Sequence, residues 1–412
     1  MLDTLGRRAK AASRILATAS TDAKDAALLA AADLLVDRAG DIVGANADDV
    51  ARAHAVGVTE TVVDRLRLDE SRIGGMASAL RLVAGLPDPV GEVVRGWVRP
   101  NGLRIEQRRV PLGVVAIIYE NRPNVTSDAF GLCLKSGNVA FLRGSSAAIS
   151  SNTAIAMVLR DALVKAGLPE DGLVLVEDTS REAAVEFMRL RGSIDVLIPR
   201  GGPSLIASIL EHATVPYVID GDGNCHVYVD ASADLDMAAS IVVNAKTNRP
   251  SVCNAAESLV VHESLVSTFL PRVAAELTDL GVELVGDAAA QRAVPTIGAA
   301  TDDDFSREFL DLKMSVAVVS DLDAAIEHVQ RHSSGHSEAI VTSDLAAAER
   351  FTNEVVAAAV LVNASTRFVD GERFGFGAEI GISTQKLHAR GPMGLRELTT
   401  TKYVVQGDGQ IV

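Results

Sequence analysis

The sequence predicts an α/β protein built from two parallel-sheet domains, together with a β-hairpin that belongs to neither sheet. Short apolar runs alternate with helix-like segments between residues 112 and 365, a pattern typical of parallel sheets covered by helices. Residues 2–92 are alanine-rich and repeat their apolar side chains at helical spacing. Asn101-Gly102 lies between two stretches of alternating side chains, which is a strong hairpin signal.

The first predicted layer, residues 2–92, is helical. Leu28, Ala32 and Leu35 recur at three- and four-residue steps, so they form one apolar face. The predicted hairpin over 93–110 follows this layer. Because an isolated hairpin is marginally stable in water, we expect it to pack on its parent domain or on another subunit.

The remaining elements form two series of strands with helices between them. The first series consists of strands at 114–118, 139–142, 174–176, 196–198 and 227–229. The second consists of strands at 259–261, 316–319, 339–341 and 360–362, with helices over 235–245, 265–277, 322–330 and 345–354. Each series has the β-α-β order of a parallel sheet, so each predicts one α/β domain.

Composition narrows the class of function. The chain has 412 residues and a net charge of −15, which argues against a general nucleic-acid binder, although a local basic pocket for an anionic ligand remains compatible. The three cysteines, Cys133, Cys225 and Cys253, contain no Cys-x-x-Cys pair, so neither a disulfide framework nor a metal site is expected. The charged N-terminus lacks a signal-peptide core, and no membrane-spanning run is expected, which predicts a cytoplasmic protein.

Cys253 is the candidate nucleophile. It follows Arg249-Pro250-Ser251-Val252 on a loop just before the predicted strand 259–261, where a small molecule can reach a thiol. A cation such as Arg249 or Lys246 would favour the thiolate, the strongest nucleophile among ordinary side chains. The alternative is a small apolar residue packed at a loop edge. Cys225, just before the predicted strand 227–229, is interpreted as a packing residue.

Two turns after predicted strands are candidate phosphate sites. Each combines glycine or serine with an arginine and precedes a helix, whose N-terminal N–H groups attract anions. Neither matches the Gly-x-Gly-x-x-Gly fingerprint, so each alone is as compatible with a plain turn. The candidate cofactor residues in these turns are Arg143, Ser145, Arg200, Gly201, Gly202 and Ser204.

Asn121 ends the first strand of the first series, where such folds place ligands. Its amide can donate to a developing oxyanion, whereas the alternative is a simple Asx turn. Arginine binds carboxylates through two hydrogen bonds, so Arg367 in the C-terminal loop is a candidate for an acidic substrate. The complete set of candidate substrate residues is Arg122, Arg249, Arg367 and Ser365.

Several longer segments resemble the γ-glutamyl phosphate reductase family of the aldehyde dehydrogenase superfamily, over nearly the whole chain. These segments are 119–123, 249–257, 335–342 and 374–394. The resemblance implies an aldehyde dehydrogenase-like fold and an NADPH-dependent reduction of an acyl phosphate through a thioester on Cys253. It implies that Asn121 and the Cys253 backbone N–H hold the oxyanion. It also implies that the turn 200–204 binds the cofactor, with Asp311 at the nicotinamide ribose.

The same resemblance implies a domain organisation and partners. Residues 1–92 and 111–227 would form the cofactor-binding domain, and 228–394 the catalytic domain. Residues 93–110 and 395–412 would form an oligomerisation element, giving a homo-oligomer, a dimer or a tetramer. The substrate would be L-glutamyl 5-phosphate, with glutamate 5-kinase as a possible partner, and no nucleic acid or membrane is expected.

The chain departs from the family pattern at Asp220, where the family usually has glutamate. Hydrolytic members of the superfamily use a glutamate at the matching place to activate water, and Asp220 is one methylene shorter. A reductase that must preserve its thioester does not need that base. The alternative within the superfamily is a hydrolytic or CoA-acylating dehydrogenase acting on a small aldehyde. The alternatives outside it are a binding protein, in which Cys253 is dispensable, and a cysteine hydrolase.

Overall fold

The structure, a computed structural model, describes residues 1–219 and 221–412, and the side chains of these except Thr61 and Pro203. The chain divides into two compact units. The first comprises Met1–Ile219, Phe376–Gly381 and Met393–Val412, and the second comprises Asp220–Gly375 and Ile382–Pro392. The prediction of an α/β protein with two parallel sheets and a hairpin is confirmed.

The helices and strands of the first unit follow the predicted order. Its helices are α1 (Leu2–Leu16), α2 (Thr21–Asp37), α3 (Ala39–Ala55), α4 (Glu60–Leu66), α5 (Glu70–Gly85), α6 (Val125–Lys135), α7 (Ile149–Lys165), α8 (Arg181–Phe187) and α9 (Pro203–His212). Its strands are β1 (Val93–Val98), β2 (Arg104–Pro111), β3 (Val114–Tyr119), β4 (Val139–Arg143), β5 (Leu173–Leu175), β6 (Val196–Arg200) and, at the end of the chain, β16 (Thr399–Gln406).

The elements of the second unit repeat the alternation of strand and helix. Its helices are α10 (Leu235–Thr247), α11 (Leu270–Asp279), α12 (Ala288–Ala293), α13 (Asp302–Phe305), α14 (Leu322–His332) and α15 (Leu345–Glu354). Its strands are β7 (Cys225–Val229), β8 (Ala256–His262), β9 (Glu283–Gly286), β10 (Gly298–Ala299), β11 (Lys313–Val319), β12 (Ser337–Val341), β13 (Ala359–Val362), β14 (Ile382–Ser383) and β15 (Gly391–Pro392).

The first unit is built on a four-stranded parallel sheet with the order β5-β4-β3-β6. Strands β3 and β4 are buried along their whole length, because helices cover both faces of a parallel sheet. They correspond to two of the apolar runs from which strands were predicted. The window Ser146–Lys165 is long and apolar enough to cross a membrane by length and composition, but 56% of it is buried. Helix α7, within this window, packs against α2, α3 and α6, so it is a core helix of this unit.

The hairpin forms as predicted, and it gains a third strand from the end of the chain. β1 and β2 pair antiparallel around a turn in which Gly102 has φ +87°, a backbone conformation that glycine adopts without strain. β2 then pairs with β16, whereas β1 lies at the edge of this three-stranded sheet. The hairpin therefore leans on residues 399–406, which lie within the predicted oligomerisation element.

The second unit is built on a seven-stranded parallel sheet with the order β10-β9-β11-β8-β7-β12-β13. Its apolar core combines the inner strands with α10 and α11. Strand β7 belongs to this sheet, so the observed units divide at residues 219 and 220, whereas the sequence placed residues up to 227 in the first domain.

Candidate active site

The candidate nucleophile Cys253 lies in a turn between α10 and β8, at the amino end of β8. It is partly exposed, whereas Cys133 and Cys225 are buried. Burial raises the pKa of Cys133, which keeps that thiol protonated, and burial and then Glu338 raise the pKa of Cys225 well above its ordinary value. Among the cysteines, Cys253 is therefore the one that a substrate can reach.

The turn that carries Cys253 lies directly on the segment before β7. A Cβ atom built on Gly223 would come within 1.7 Å of the Cys253 carbonyl oxygen, so only glycine allows this approach. The buried Cys225 thiol donates a hydrogen bond to the same oxygen at 3.2 Å. The amide N–H of Gly223 in turn donates to Glu308 Oε1 at 2.8 Å.

The other side of the turn is held by the short 3₁₀ helix Thr366–Phe368. The Thr366 hydroxyl donates to the Asn254 carbonyl oxygen at 2.7 Å, and Asn254 Nδ2 donates to the Val369 carbonyl oxygen at 2.8 Å. Residues 252–255 thus contact two chain segments distant in sequence, which restricts the position of the cysteine between them.

Three predicted substrate residues lie in the second unit with Cys253. Arg367 is largely buried, and its Nε donates to Asn248 Oδ1 at 3.2 Å. Burial is the main cause that lowers the Arg367 pKa, and neighbouring cations, including Arg249, lower this pKa further. The Cys253 thiolate acts in the opposite direction and raises it. Ser365 accepts a hydrogen bond from the Arg367 N–H at 3.3 Å. Arg367 therefore lies within electrostatic range of both Arg249 and Cys253, and it is hydrogen-bonded to Ser365.

Lys246 pairs with a carboxylate. Its Nζ lies 2.5 Å from Glu257 Oε2, and both side chains are fully buried. Burial lowers the Lys246 pKa and raises the Glu257 pKa to about 7. The charge of each partner opposes the shift of the other. The Leu310 N–H also donates to Glu257, at 3.2 Å. Lys246 thus neutralises Glu257, and Arg249 remains the predicted cation next to the thiol.

Two acidic residues on the loop before β11, Asp311 and Glu308, have different contacts. Asp311 is exposed, and its carboxylate accepts a hydrogen bond from the neighbouring Leu312 N–H at 2.7 Å. Glu308 instead contacts Gly223, which lies against Cys253. The sequence analysis missed Glu308. The available signal was an acidic residue on the loop entering β11, the strand that pairs with β8.

In the first unit, the carboxyl ends of β3, β4 and β6 lie side by side, and we call them the cofactor edge because they carry the residues predicted to bind the cofactor. Strand β3 pairs with both neighbours up to its last residues, Ile118 with Arg143 and Tyr119 with Arg200. The predicted residues Asn121, Arg122, Arg143, Ser145, Arg200, Gly201, Gly202 and Ser204 are therefore brought to one end of one sheet. This is where parallel α/β sheets bind ligands.

Ser145 fixes the orientation of Asn121. Its hydroxyl donates to Asn121 Oδ1 at 3.0 Å, and the Asn121 N–H approaches the same hydroxyl at 3.4 Å. Asn121 has φ +43°, in the left-handed region that asparagine tolerates better than most residues. Because its oxygen accepts from Ser145, its amide Nδ2 is the donor that faces the other way, as an oxyanion ligand requires.

The turn before α9 has the features of an anion site. Gly202 is the N-cap of α9, and a Cβ atom there would meet nothing within 4 Å. The Gly202 N–H donates to Glu120 Oε2 at 3.3 Å, so a carboxylate of the same edge lies at this helix start. Gly201 and Ser204 are exposed beside it, and Arg122 is exposed on the neighbouring loop.

Arg143 is mainly bound to the chain itself. Its Nη2 donates to the carbonyl oxygens of Thr179 and Ser180, at 2.9 and 2.7 Å, and burial lowers its pKa. Its buried Nε has no partner in the part of the chain that the structure describes. Asp220 lies outside the described residues. Within those residues, no group of three or more His, Cys, Asp or Glu has the arrangement of a metal site.

Comparison with known proteins gives one family. The model of the aldehyde dehydrogenase family matches residues 3–305. The γ-glutamyl phosphate reductase of Clostridium novyi is 55% identical over 98% of this chain and 97% of its own length, and that of Thermobifida fusca is 55% identical over 99% and 97%. The crystal structure of the Thermotoga maritima γ-glutamyl phosphate reductase superimposes with a TM-score of 0.98, at 48% identity and 99% coverage of both chains.

More distant structures share the fold. An acetylating aldehyde dehydrogenase from Geobacillus thermoglucosidasius has a TM-score of 0.69 at 19% identity, covering 99% of this chain and 97% of its own. The two curated reductases, at 55% identity, and the Thermotoga maritima reductase, at 48%, are much more similar to this chain than the acetylating dehydrogenase is. The chain belongs to the γ-glutamyl phosphate reductase family, within the aldehyde dehydrogenase family.

Proposed function

We propose that this chain reduces L-glutamyl 5-phosphate to L-glutamate 5-semialdehyde and phosphate with NADPH, as the second step of proline biosynthesis from glutamate in the cytoplasm. The observation that carries the proposal is the partly exposed Cys253, in a turn held from both sides, in a chain that matches this family along its full length. A binding protein would not need a thiol held in this way.

The reaction divides into two displacements at Cys253. Its thiolate attacks the acyl carbon, the carbon–oxygen bond to phosphate breaks, and a thioester and inorganic phosphate result. When bound, NADPH supplies the hydride that the thioester carbon accepts. The tetrahedral oxyanion then expels the Cys253 thiolate and leaves the aldehyde. We assign the oxyanion to Asn121 Nδ2 and the Cys253 N–H, and the substrate carboxylate to Arg249 and Arg367, with Ser365 and Arg122 completing the substrate contacts.

The cofactor edge fits a dinucleotide at its phosphates. The open space at Gly202 and the N-terminal N–H groups of α9 suit a pyrophosphate, beside Arg200, Gly201 and Ser204. The buried Arg143 Nε and the adjacent Ser145 are the candidates for the adenosine ribose and its 2′-phosphate. We assign the nicotinamide ribose to the loop of Asp311, with Glu308 as the second acidic candidate.

Coenzyme titration tests the choice between NADPH and NADH. Arg143→Met should lower the kcat/KM ratio of NADPH over NADH by about tenfold if the guanidinium contacts the 2′-phosphate. An unchanged ratio would place Arg143 in a purely structural role, bound to the carbonyl oxygens of Thr179 and Ser180.

We further propose a homo-oligomer, a dimer or a tetramer, assembled through the edge strand β1. Val94, Trp97 and Val98 are exposed on this strand, whose backbone can extend the sheet into a second copy. Light scattering of Trp97→Glu should show dissociation. Glutamate 5-kinase is the proposed partner, because it would deliver the unstable acyl phosphate, and pull-down at matched concentrations tests it.

The decisive assay runs the reaction backwards. Oxidation of glutamate 5-semialdehyde with NADP should require phosphate, which re-forms the acyl phosphate from the thioester. Activity without phosphate would favour a hydrolytic dehydrogenase, and activity that requires CoA would favour an acylating one. Cys253→Ala should lose turnover by orders of magnitude and still bind NADPH, while the buried-cysteine control Cys133→Ala should remain active. Turnover by Cys253→Ala would overturn the proposal.

A further inference from the structure

Beneath the Cys253 turn lies a second cysteine that the proposed mechanism does not use. Cys225 begins β7, is fully buried, and places its Sγ 3.2 Å from the Cys253 carbonyl oxygen. This separation is short for a sulfur donor and an oxygen acceptor. A cysteine that merely filled space would not need its sulfur aimed at a carbonyl oxygen.

The surroundings of Cys225 keep its sulfur protonated. Burial and the nearby Glu338 raise its pKa well above the ordinary value, so the thiol retains the proton that it donates. On its other side the sulfur lies 3.7 Å from His336 Nδ1, which is also 2.7 Å from the Ser337 hydroxyl. Burial lowers the pKa of His336 to about 4, so this imidazole is neutral near neutral pH and adds no positive charge that would ionise Cys225.

The carbonyl that Cys225 contacts is confined by the backbone as well. Gly223 lies so close that a Cβ atom would fall 1.7 Å from the same oxygen and 2.4 Å from the Cys253 Cα. The Cys225 N–H donates to the Gly223 carbonyl oxygen at 2.9 Å, which ties the glycine and the thiol into one turn. Gly223 and Cys225 thus act on one peptide group, and that group follows the Cα atom of the nucleophile.

We propose that Cys225 is a positioning residue, whose thiol holds the Cys253 carbonyl so that the Cys253 side chain and N–H keep their reactive directions. The inference rests on the proposed function, because it assumes that Cys253 is the nucleophile. The carbonyl orientation determines the ψ angle of Cys253, so losing the thiol donor lets the peptide rotate and the sulfur drift. A displacement of the reacting atom lowers the rate of the chemical step more than it lowers substrate binding.

The test compares variants that distinguish the loss of the Cys225 hydrogen-bond donor from the loss of its side-chain volume. Cys225→Ala and Cys225→Val both remove the donor, and valine also keeps most of the volume. Cys225→Ser keeps a donor on a shorter bond. The matched controls are Cys133→Ala and Cys133→Ser, which change a buried cysteine of the other unit. Thermal midpoints confirm that each variant compared is folded.

Two measurements are made on each variant. The first is kcat and KM in the phosphate-dependent reverse assay. The second is the rate at which iodoacetamide alkylates Cys253 in the free protein between pH 6 and 10, followed by mass spectrometry of the peptide that contains Cys253. Alkylation needs no substrate, so it reports the position and ionisation of the thiol independently of turnover.

We expect Cys225→Ala and Cys225→Val to lower kcat about five- to tenfold, the usual effect of one lost hydrogen bond, with KM changed less than twofold. Their alkylation profiles should shift from that of the parent protein, and Cys225→Ser should restore both measurements most of the way. The inference is overturned if either donor-free variant matches the parent, or if serine is as impaired as alanine. Turnover by Cys253→Ala would instead overturn the proposed function, so the two failures are distinguishable.

Discussion

The contact between Gly223 and Cys253 makes a sharp prediction for Gly223→Ala. The new methyl group would lie 1.7 Å from the Cys253 carbonyl oxygen, and contacts below 3.0 Å require something to move. The two backbones must therefore separate by at least about 1.3 Å, because the atoms in the way are main chain and not the end of a flexible side chain. A displacement of this size at a reacting group lowers the rate on the order of 100-fold.

The assay is kcat for phosphate-dependent oxidation of glutamate 5-semialdehyde, with chemical denaturation on the same sample. We expect kcat to fall on the order of 100-fold and the free energy of unfolding to fall by about 1–3 kcal/mol. The control is Gly75→Ala, at a helical glycine with nothing within 4 Å of the added methyl group, which should keep full activity. A Gly223→Ala protein with parental kcat and stability would refute the argument.

Three further predictions concern other groups. Glu257→Gln should cost about 3–5 kcal/mol of unfolding free energy in urea denaturation, because it leaves Lys246 charged and unpaired in the core, and Lys246→Met combined with Glu257→Leu should recover most of it. Burial holds the pKa of His328 at about 3, below its ordinary 6.5, so the unfolded chain binds the proton first. The contribution of His328 to stability should therefore be level above pH 6.5 and fall as the pH drops from 6.5 towards 3, by up to about 1.4 kcal/mol per unit. His328→Phe should remove this contribution from the measured pH profile, and a profile identical to that of the parent protein would contradict the assignment. Glu120→Gln removes a negative charge from the start of α9, so NADPH should bind several-fold more tightly in fluorescence titration, and weaker binding would show that Glu120 assists the cofactor.

The parallel sheets could be predicted because their inner strands are continuous apolar runs. Strand β3 has every residue buried, and such a strand is visible in sequence as an uninterrupted series of apolar, mostly β-branched side chains. Helix α15 was predicted with its observed bounds, Leu345–Glu354, because an N-cap aspartate precedes a regular apolar stripe. The strands β9 and β10, at one side of the second sheet, were not predicted. They are short, and both contain glycine, so they lack the side chains that distinguish a strand from a loop.

The site residues that act through side-chain chemistry could be predicted from the sequence. Those that matter because two backbone segments lie close together could not. Cys253 and Asn121 were named because a thiol and an amide at loop positions have recognisable chemistry, and their catalytic roles stay predictions. Gly223 gave no comparable signal. Glycine is needed there because the folded chain brings the main chain of Cys253, 30 residues further along, against it, and the sequence does not show this contact. Glu308 was missed because an acidic residue on the loop before β11 does not by itself indicate a contact with the Gly223 N–H.

The Cys253 turn is held mostly by main-chain contacts, and this determines how variants nearby should behave. Cys225 donates to a carbonyl, Thr366 donates to the next carbonyl, and Gly223 touches the main chain directly. Such contacts fix the direction of the nucleophile and leave its charge and its substrate contacts unchanged. Substitutions at these positions should therefore lower kcat with little change in KM, whereas substitutions at Arg249 or Arg367 should raise KM first, because a carboxylate held by arginine is bound in the ground state as well as in the transition state. A kcat-selective loss at Arg367, with KM unchanged, would instead mean that this arginine acts on the thiol turn and not on the substrate.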